Sequence, residues 1–117
     1  EAARTVDLGV YEFFLTDRVG HTGDIAAARS IVQDLDRFVA SVIESIDPRD
    51  QTVVLTSDHG NVEEMSVRTH THHPVPTMAW GADADRLIGR LGRLEAFAPA
   101  LLAAYDRIFA RIRPPAP

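Results

Sequence analysis

The chain has no cysteine and no lysine, and all twelve of its basic residues are arginine. Without cysteine, neither a disulfide framework nor a thiolate zinc site is possible. Without lysine, Schiff-base and amine chemistry is excluded within these residues. No apolar run approaches the roughly 20 residues that span a bilayer, and no N-terminal signal pattern is visible. Basic charge is also scarce. Twelve arginines face 17 acidic residues, for a net charge of −5. A nucleic-acid binder is expected to carry a basic face, so neither nucleic acid nor membrane is an expected partner. The absence of cysteine sits easily with a cytoplasmic protein.

What is present is an ordinary globular balance, with 45% hydrophobic and 25% charged residues over 117 positions. That length allows one domain or part of one. Val6 to Thr16 (VDLGVYEFFLT) is rich in β-branched and aromatic types and reads as a strand covered on both faces. A short loop, Asp17 to Gly23, follows. Ala28, Val32, Leu35, Val39, Val42 and Ile46 then recur at helical spacing. Asp24 is placed to cap that helix, and Asp47-Pro48 to end it.

Thr52 to Ser57 (TVVLTS) reads as a second buried strand, so a βαβ unit with parallel strands is expected. Asp58 to Pro74 has no clean period and holds four of the five histidines. A loop of that length in a small domain is usually functional or disordered. Val75 to Gly81 reads as a third strand whose start is marked by Pro76. Leu94, Phe97, Leu101, Tyr105, Ile108 and Ile112 mark a last helix. Pro99 fits only its first turn, which puts the start near Glu95 to Ala98. The RPPAP end, residues 113–117, reads as a frayed tail.

Three clusters carry chemistry. Asp17 to His21 follows the first expected strand, and Ser57 to Asn61 follows the second. Thr69 to Pro76, with His70, His72 and His73, leads into the third. Two parallel strands would deliver Asp17 and Asp58 to one carboxyl edge, where open α/β sheets place their sites. Carboxylates and imidazoles are ligands for zinc or manganese, and carboxylate-rich sets admit magnesium. Singly, each residue also has an ordinary role. Asp17 can cap a turn, His21 can be a polar loop residue, Asp58 can start a turn, and the 70–73 run can be a solvated loop.

The three clusters together resemble the alkaline phosphatase-like metalloenzyme superfamily. The likeness is to its C-terminal part, in the branch of cofactor-independent phosphoglycerate mutase and phosphopentomutase. DRVGHTGD is similar to the D-x-x-x-H-x-G segment of that branch, TSDHGNVEEM to its DHGN segment, and THTHHPVPTMAWG to its H-T-x-x-P-V-P segment. The likeness runs from about Asp7 to Tyr105.

The resemblance implies a partial three-layer α/β fold: a βαβ unit, an antiparallel strand and a C-terminal helix. It implies two divalent ions, Mn2+ or Zn2+. Asp17, His21 and His70 would hold one ion, and Asp58 and His59 would contribute to the other. Asn61, Glu63 and Glu64 would shape the loop or support the ligands. His72 and His73 have no role to carry over.

In the family the second ion also takes an N-terminal aspartate and the Ser/Thr nucleophile, and nothing here matches either. No catalytic nucleophile is therefore expected in this chain. Residues 1–117, which start at Glu1, are expected to be a C-terminal segment of a longer catalytic domain. A missing N-terminal half or a second copy should cover the apolar faces. The implied activity is phosphoryl transfer on a phosphorylated small molecule, of the phosphoglycerate mutase type. Phosphohydrolase or phosphodiesterase chemistry, or a non-catalytic metal-binding module, are the alternatives. If His70 is to reach the edge that Asp17 and Asp58 occupy, the strand after it, Val75 to Gly81, must run back, antiparallel to the first two strands.

Overall fold

The computed structural model describes residues 6–112, with side chains as far as Tyr105. The expected tail at 113–117 lies outside the described residues. In chain order the elements are α1 (Leu15–Gly20), α2 (Ile25–Ser45), β1 (Thr52–Thr56), β2 (Thr77–Gly81), α3 (Ala84–Ile88) and α4 (Phe97–Ile112). A single 3-10 turn, Leu94–Ala96, precedes α4. The chain divides into two compact units. The first holds residues up to Phe38 together with Asn61–Thr71, and the second holds Val39–Gly60 and everything from His72 on.

In the first unit, the expected strand at Val6 to Thr16 is not there. Residues 6–13 carry no strand, and Leu15–Gly20 is a helix. A high content of β-branched and aromatic residues measures fit to a pleated, half-buried surface, and a strand still needs a neighbour for its backbone bonds. Here Val10 is 89% exposed and Tyr11 71% exposed. The segment is instead held by its rings. Tyr11 and Phe13 lie against Phe38 of α2, with ring centroids 4.9 and 6.3 Å apart. The expected βαβ unit is therefore absent among the described residues, and Asp17 stands on a helix instead of a strand end.

The connection from α1 to α2 follows local rules. Gly23 has φ +73°, the left-handed conformation that glycine adopts without penalty. Asp24 then caps α2 as expected: its Oδ1 accepts the Ala27 N–H at 2.9 Å and its carbonyl the Ala28 N–H at 2.9 Å. The helix ends at Ser45, just before Asp47-Pro48. There the Asp47 carbonyl accepts the Gln51 N–H at 2.8 Å, and its carboxylate holds the Arg49 guanidinium at 2.7 Å. That hydrogen bond, and then the charge of Asp50, raises the pKa of Arg49 above its ordinary value.

In the second unit β1 and β2 pair antiparallel, with Thr52 opposite Gly81 and Thr56 opposite Thr77. The direction is the one required of the strand that follows His70. The strand opens at Thr77, two residues later than expected, because Pro76 has no N–H to give to a ladder. Gly81 is obligatory. Its φ is +100°, and a Cβ there would lie 2.0 Å from the Gln51 carbonyl oxygen. That same oxygen accepts the Ala82 N–H at 3.1 Å, and Thr52 Oγ1 accepts the Asp83 N–H at 3.2 Å, which starts α3. The short helix α3 was not legible from periodicity.

Leu87, Leu91 and Ala100 form the buried cluster, with Val54, Phe97, Leu101 and Ala104 packed around it. Pro99 falls in the first turn of α4, where a missing N–H costs nothing. No large side chain among the described residues is fully buried, and Leu8, Val10, Tyr11, Phe14, Ile25 and Leu102 are all more than half exposed. A core of this kind leaves apolar surface in want of cover.

Candidate metal centre

The centre in the first unit is built on α1. Asp17 and His21 are four residues apart on one helical face, which brings the carboxylate and the imidazole together. Asp17 also lies in the first turn, where a negative charge suits the helix dipole. The distance from Asp17 Oδ1 to His21 Nε2 is 3.2 Å. His70 arrives from far along the chain, and its Nε2 is likewise 3.2 Å from that oxygen. The two imidazole rings are tilted by 44° with centroids 5.2 Å apart.

Hydrogen bonding sets the tautomer of His21. Its Nδ1 lies 2.7 Å from the Arg68 carbonyl oxygen. A carbonyl only accepts, so Nδ1 carries the hydrogen. In the neutral ring Nε2 is then a bare lone pair aimed at a carboxylate oxygen, which is also an acceptor. The Asn61 amide nitrogen, 3.4 Å from each, is a distant donor to this pair, whereas a cation between them satisfies the carboxylate and both imidazoles at once. A ring held through one nitrogen by a backbone carbonyl, with the other nitrogen presented outward, is the usual posture of a metal-ligating histidine. The donor set, one carboxylate and two imidazoles, fits a divalent ion of the zinc or manganese type.

Asn61 completes the group. It is the buried polar residue of the described chain, 6% exposed. Its Nδ2 lies 3.4 Å from both Asp17 Oδ1 and His21 Nε2. Its Oδ1 is buried without a hydrogen-bond partner and faces Gly20, where a Cβ would lie 1.3 Å away. Only glycine at position 20 leaves room for this amide. Glu63 Oε2 accepts the Asn61 N–H at 2.6 Å, while Oε1 accepts the Thr71 hydroxyl. Glu64 accepts the Ser66 hydroxyl, and its carbonyl accepts the Val67 N–H at 3.2 Å, so it shapes the loop.

In the second unit Asp58 and His59 follow β1 through Ser57. His59 Nδ1 lies 3.3 Å from the Gly60 carbonyl, which gives this ring the same tautomer as His21. Its Nε2 is 3.6 Å from Asp58 Oδ1, and the Asp58 side chain is 87% exposed. Ser57 Oγ donates to the His59 carbonyl at 2.8 Å and is thereby engaged as a turn residue. His72 and His73 are exposed.

Gly20, Thr71 and the Arg68 carbonyl were not read from the sequence as parts of the centre. Thr71 follows His70 in the H-T pair and was open to notice. A backbone carbonyl leaves no mark on residue identity.

The profile of the metalloenzyme superfamily matches residues 2–114. The chain belongs to that superfamily, the alkaline phosphatase-like one, and stands with its cofactor-independent phosphoglycerate mutase branch. It is 36% identical over 103 residues to the 2,3-bisphosphoglycerate-independent phosphoglycerate mutase of Cereibacter sphaeroides, covering 82% of this chain and 20% of that protein. For the enzyme of the same description from Desulforudis audaxviator the identity is 37%, with the same coverage. For that of Serratia proteamaculans it is 39% over 94 residues, 74% of this chain and 18% of the relative. The chain thus spans about a fifth of the length of the curated relatives it matches. No solved structure matches it at a significant level. The mixed α/β architecture is part of the superfamily's fold, and membership implies divalent metal ions as cofactors.

Proposed function

We propose that this chain is the C-terminal, metal-binding segment of a cytoplasmic two-metal phosphoryl-transfer enzyme of the phosphoglycerate mutase type. The observation that carries the reading is the meeting of His21 Nε2 and His70 Nε2 on one oxygen of Asp17, each at 3.2 Å. Asp17, His21 and His70 would hold one Mn2+ or Zn2+ ion, and Asp58 and His59 would contribute to the second. When bound, such ions neutralise charge on a transferring phosphoryl group and lower the pKa of an attacking hydroxyl.

The chain's own residues have simpler tasks. Arg68 holds the His21 ring through Nδ1, so that Nε2 stays the donor atom. Asn61 keeps Asp17 and His21 in register from a buried position. The Ser/Thr nucleophile and the remaining aspartate would come from the rest of the enzyme, which would also cover the exposed apolar side chains of residues 6–14. The substrate is a phosphorylated small molecule.

The test combines calorimetry with Mn2+ or Zn2+ and assays of p-nitrophenyl phosphate hydrolysis. The 117-residue chain should bind metal and show no turnover. Failure of the folded chain to bind either ion would sink the metal-centre reading. Robust turnover by the chain alone would contradict the placing of the nucleophile elsewhere.

A further inference from the structure

We propose that Glu63 is a positioning residue of the metal centre, whose one carboxylate clamps both ends of the 61–71 segment and so sets Asn61 and His70 against Asp17 and His21. The inference rests on the reading that Asp17, His21 and His70 hold an ion.

The segment supplies two parts of the centre from opposite ends. Asn61 stands at its start, with Nδ2 3.4 Å from Asp17 Oδ1 and from His21 Nε2. His70 stands at its finish, beside Thr71. Between them run turns without helix or strand, and the backbone pairing at its finish is a single bridge residue, Thr71, so no continued ladder fixes their separation. The His70 side chain is 51% exposed, so packing alone does not hold it. Glu63 spans the gap, taking the Asn61 N–H on Oε2 at 2.6 Å and the Thr71 hydroxyl on Oε1. Bonds to an ionised acceptor are the stronger class, and two on one rigid carboxylate fix a distance as well as an energy. With the clamp removed, the segment regains conformations in which His70 is out of reach, and that entropy opposes metal binding.

The geometry predicts a graded response. Glu63→Ala loses both bonds. Glu63→Gln keeps both in form, because its oxygen can take the Asn61 N–H while its amide donates to the Thr71 hydroxyl, which also accepts. Thr71→Val keeps the carboxylate and loses one arm. The measurements are Mn2+ and Zn2+ affinity of the 117-residue chain by calorimetry, with the Tm of the metal-free chain alongside.

Glu63→Ala should weaken binding about 10- to 100-fold, the range found when groups that orient metal ligands are removed. Glu63→Gln should recover most of that loss, and Thr71→Val should cost an intermediate factor. The double variant Glu63→Ala/Thr71→Val should bind no more than about twofold weaker than Glu63→Ala, since both remove one interaction. A merely structural role would move Tm without this order. Wild-type affinity in Glu63→Ala, or losses that multiply in the double variant, would overturn the proposal. If Glu63→Ala does not fold, Thr71→Val decides: undiminished affinity there overturns it. A wild-type chain that binds neither ion overturns the underlying reading and the clamp with it. A wild type that binds while Glu63→Ala binds equally well overturns the clamp alone.

Discussion

The two units of this chain hold their potential ligands in opposite ways. In the second, Asp58 and His59 are adjacent in sequence, follow a strand, and belong to a unit with an apolar cluster of Leu87, Leu91 and Ala100. In the first, Asp17, His21, Asn61 and His70 come from two distant stretches, and among the described residues the buried apolar side chains are Val19 and Ala28. Apolar burial organises the second unit. The first is organised round its centre by polar contacts: a carboxylate shared by two imidazoles, a buried amide and a clamping glutamate. Polar contacts contribute modestly to net stability but are costly to leave unpaired. It follows that an ion should order the first unit more than the second, because binding free energy becomes folding free energy where the site is not otherwise preformed.

The sharpest way to break this comparison is to damage each unit at its own organiser. Leu87→Ala should cost about 3 kcal/mol of unfolding free energy, in the range for emptying a buried leucine site. Denaturant titration followed by the fluorescence of Trp80, the one tryptophan, reads it, and metal affinity should stay within about twofold of wild type because no ligand contact is altered. Comparable loss of metal binding would mean that the apolar cluster also organises the centre.

Next in size is Asp17→Ala against Asp58→Ala. Removing the oxygen common to two histidines should weaken the tightest metal-binding event by about 100-fold or about 2.7 kcal/mol. Removing the exposed Asp58 should cost about tenfold or less, since that pair is looser. Calorimetry on both variants decides, and equal losses would erase the distinction between the units.

The smallest contrast concerns two glycines. Gly20→Ala forces a methyl group into the space of the Asn61 amide, and overpacking of this kind costs about 1–3 kcal/mol. Metal affinity should fall with it. Gly92→Ala meets nothing within 4 Å and should be neutral, or stabilising by about 0.5 kcal/mol through the unfolded chain. Thermal unfolding of the two variants side by side gives the answer. A harmless Gly20→Ala would show that Asn61 is not held where the contact places it.

How much of this was legible varied by element. The helix α2 was readable at both ends, because its period, its Asp24 cap and its Asp-Pro stop are all local. The antiparallel sense of β2 followed from a geometric demand on His70, although its first residue was displaced by Pro76. The strand expected at Val6 to Thr16 failed because residue types record a preference for a pleated surface and say nothing of whether a neighbouring strand exists. The helix α1 was hidden because its six residues are too few to show a period. Asp17, His21 and His70 were legible through the motifs, as were Asn61 and Glu63 as residues of interest. What Asn61 and Glu63 touch was not.

The amino-acid order by itself settled the local matters: where helices are capped and stopped, which residues are chemically able to bind a cation, and the superfamily those residues signal. Tertiary structure alone decided which nitrogen of His21 is presented, which glycine must stay bare, and which carboxylate spans the loop. Those are distances between groups far apart along the chain, and no local preference encodes a distance that only folding brings about.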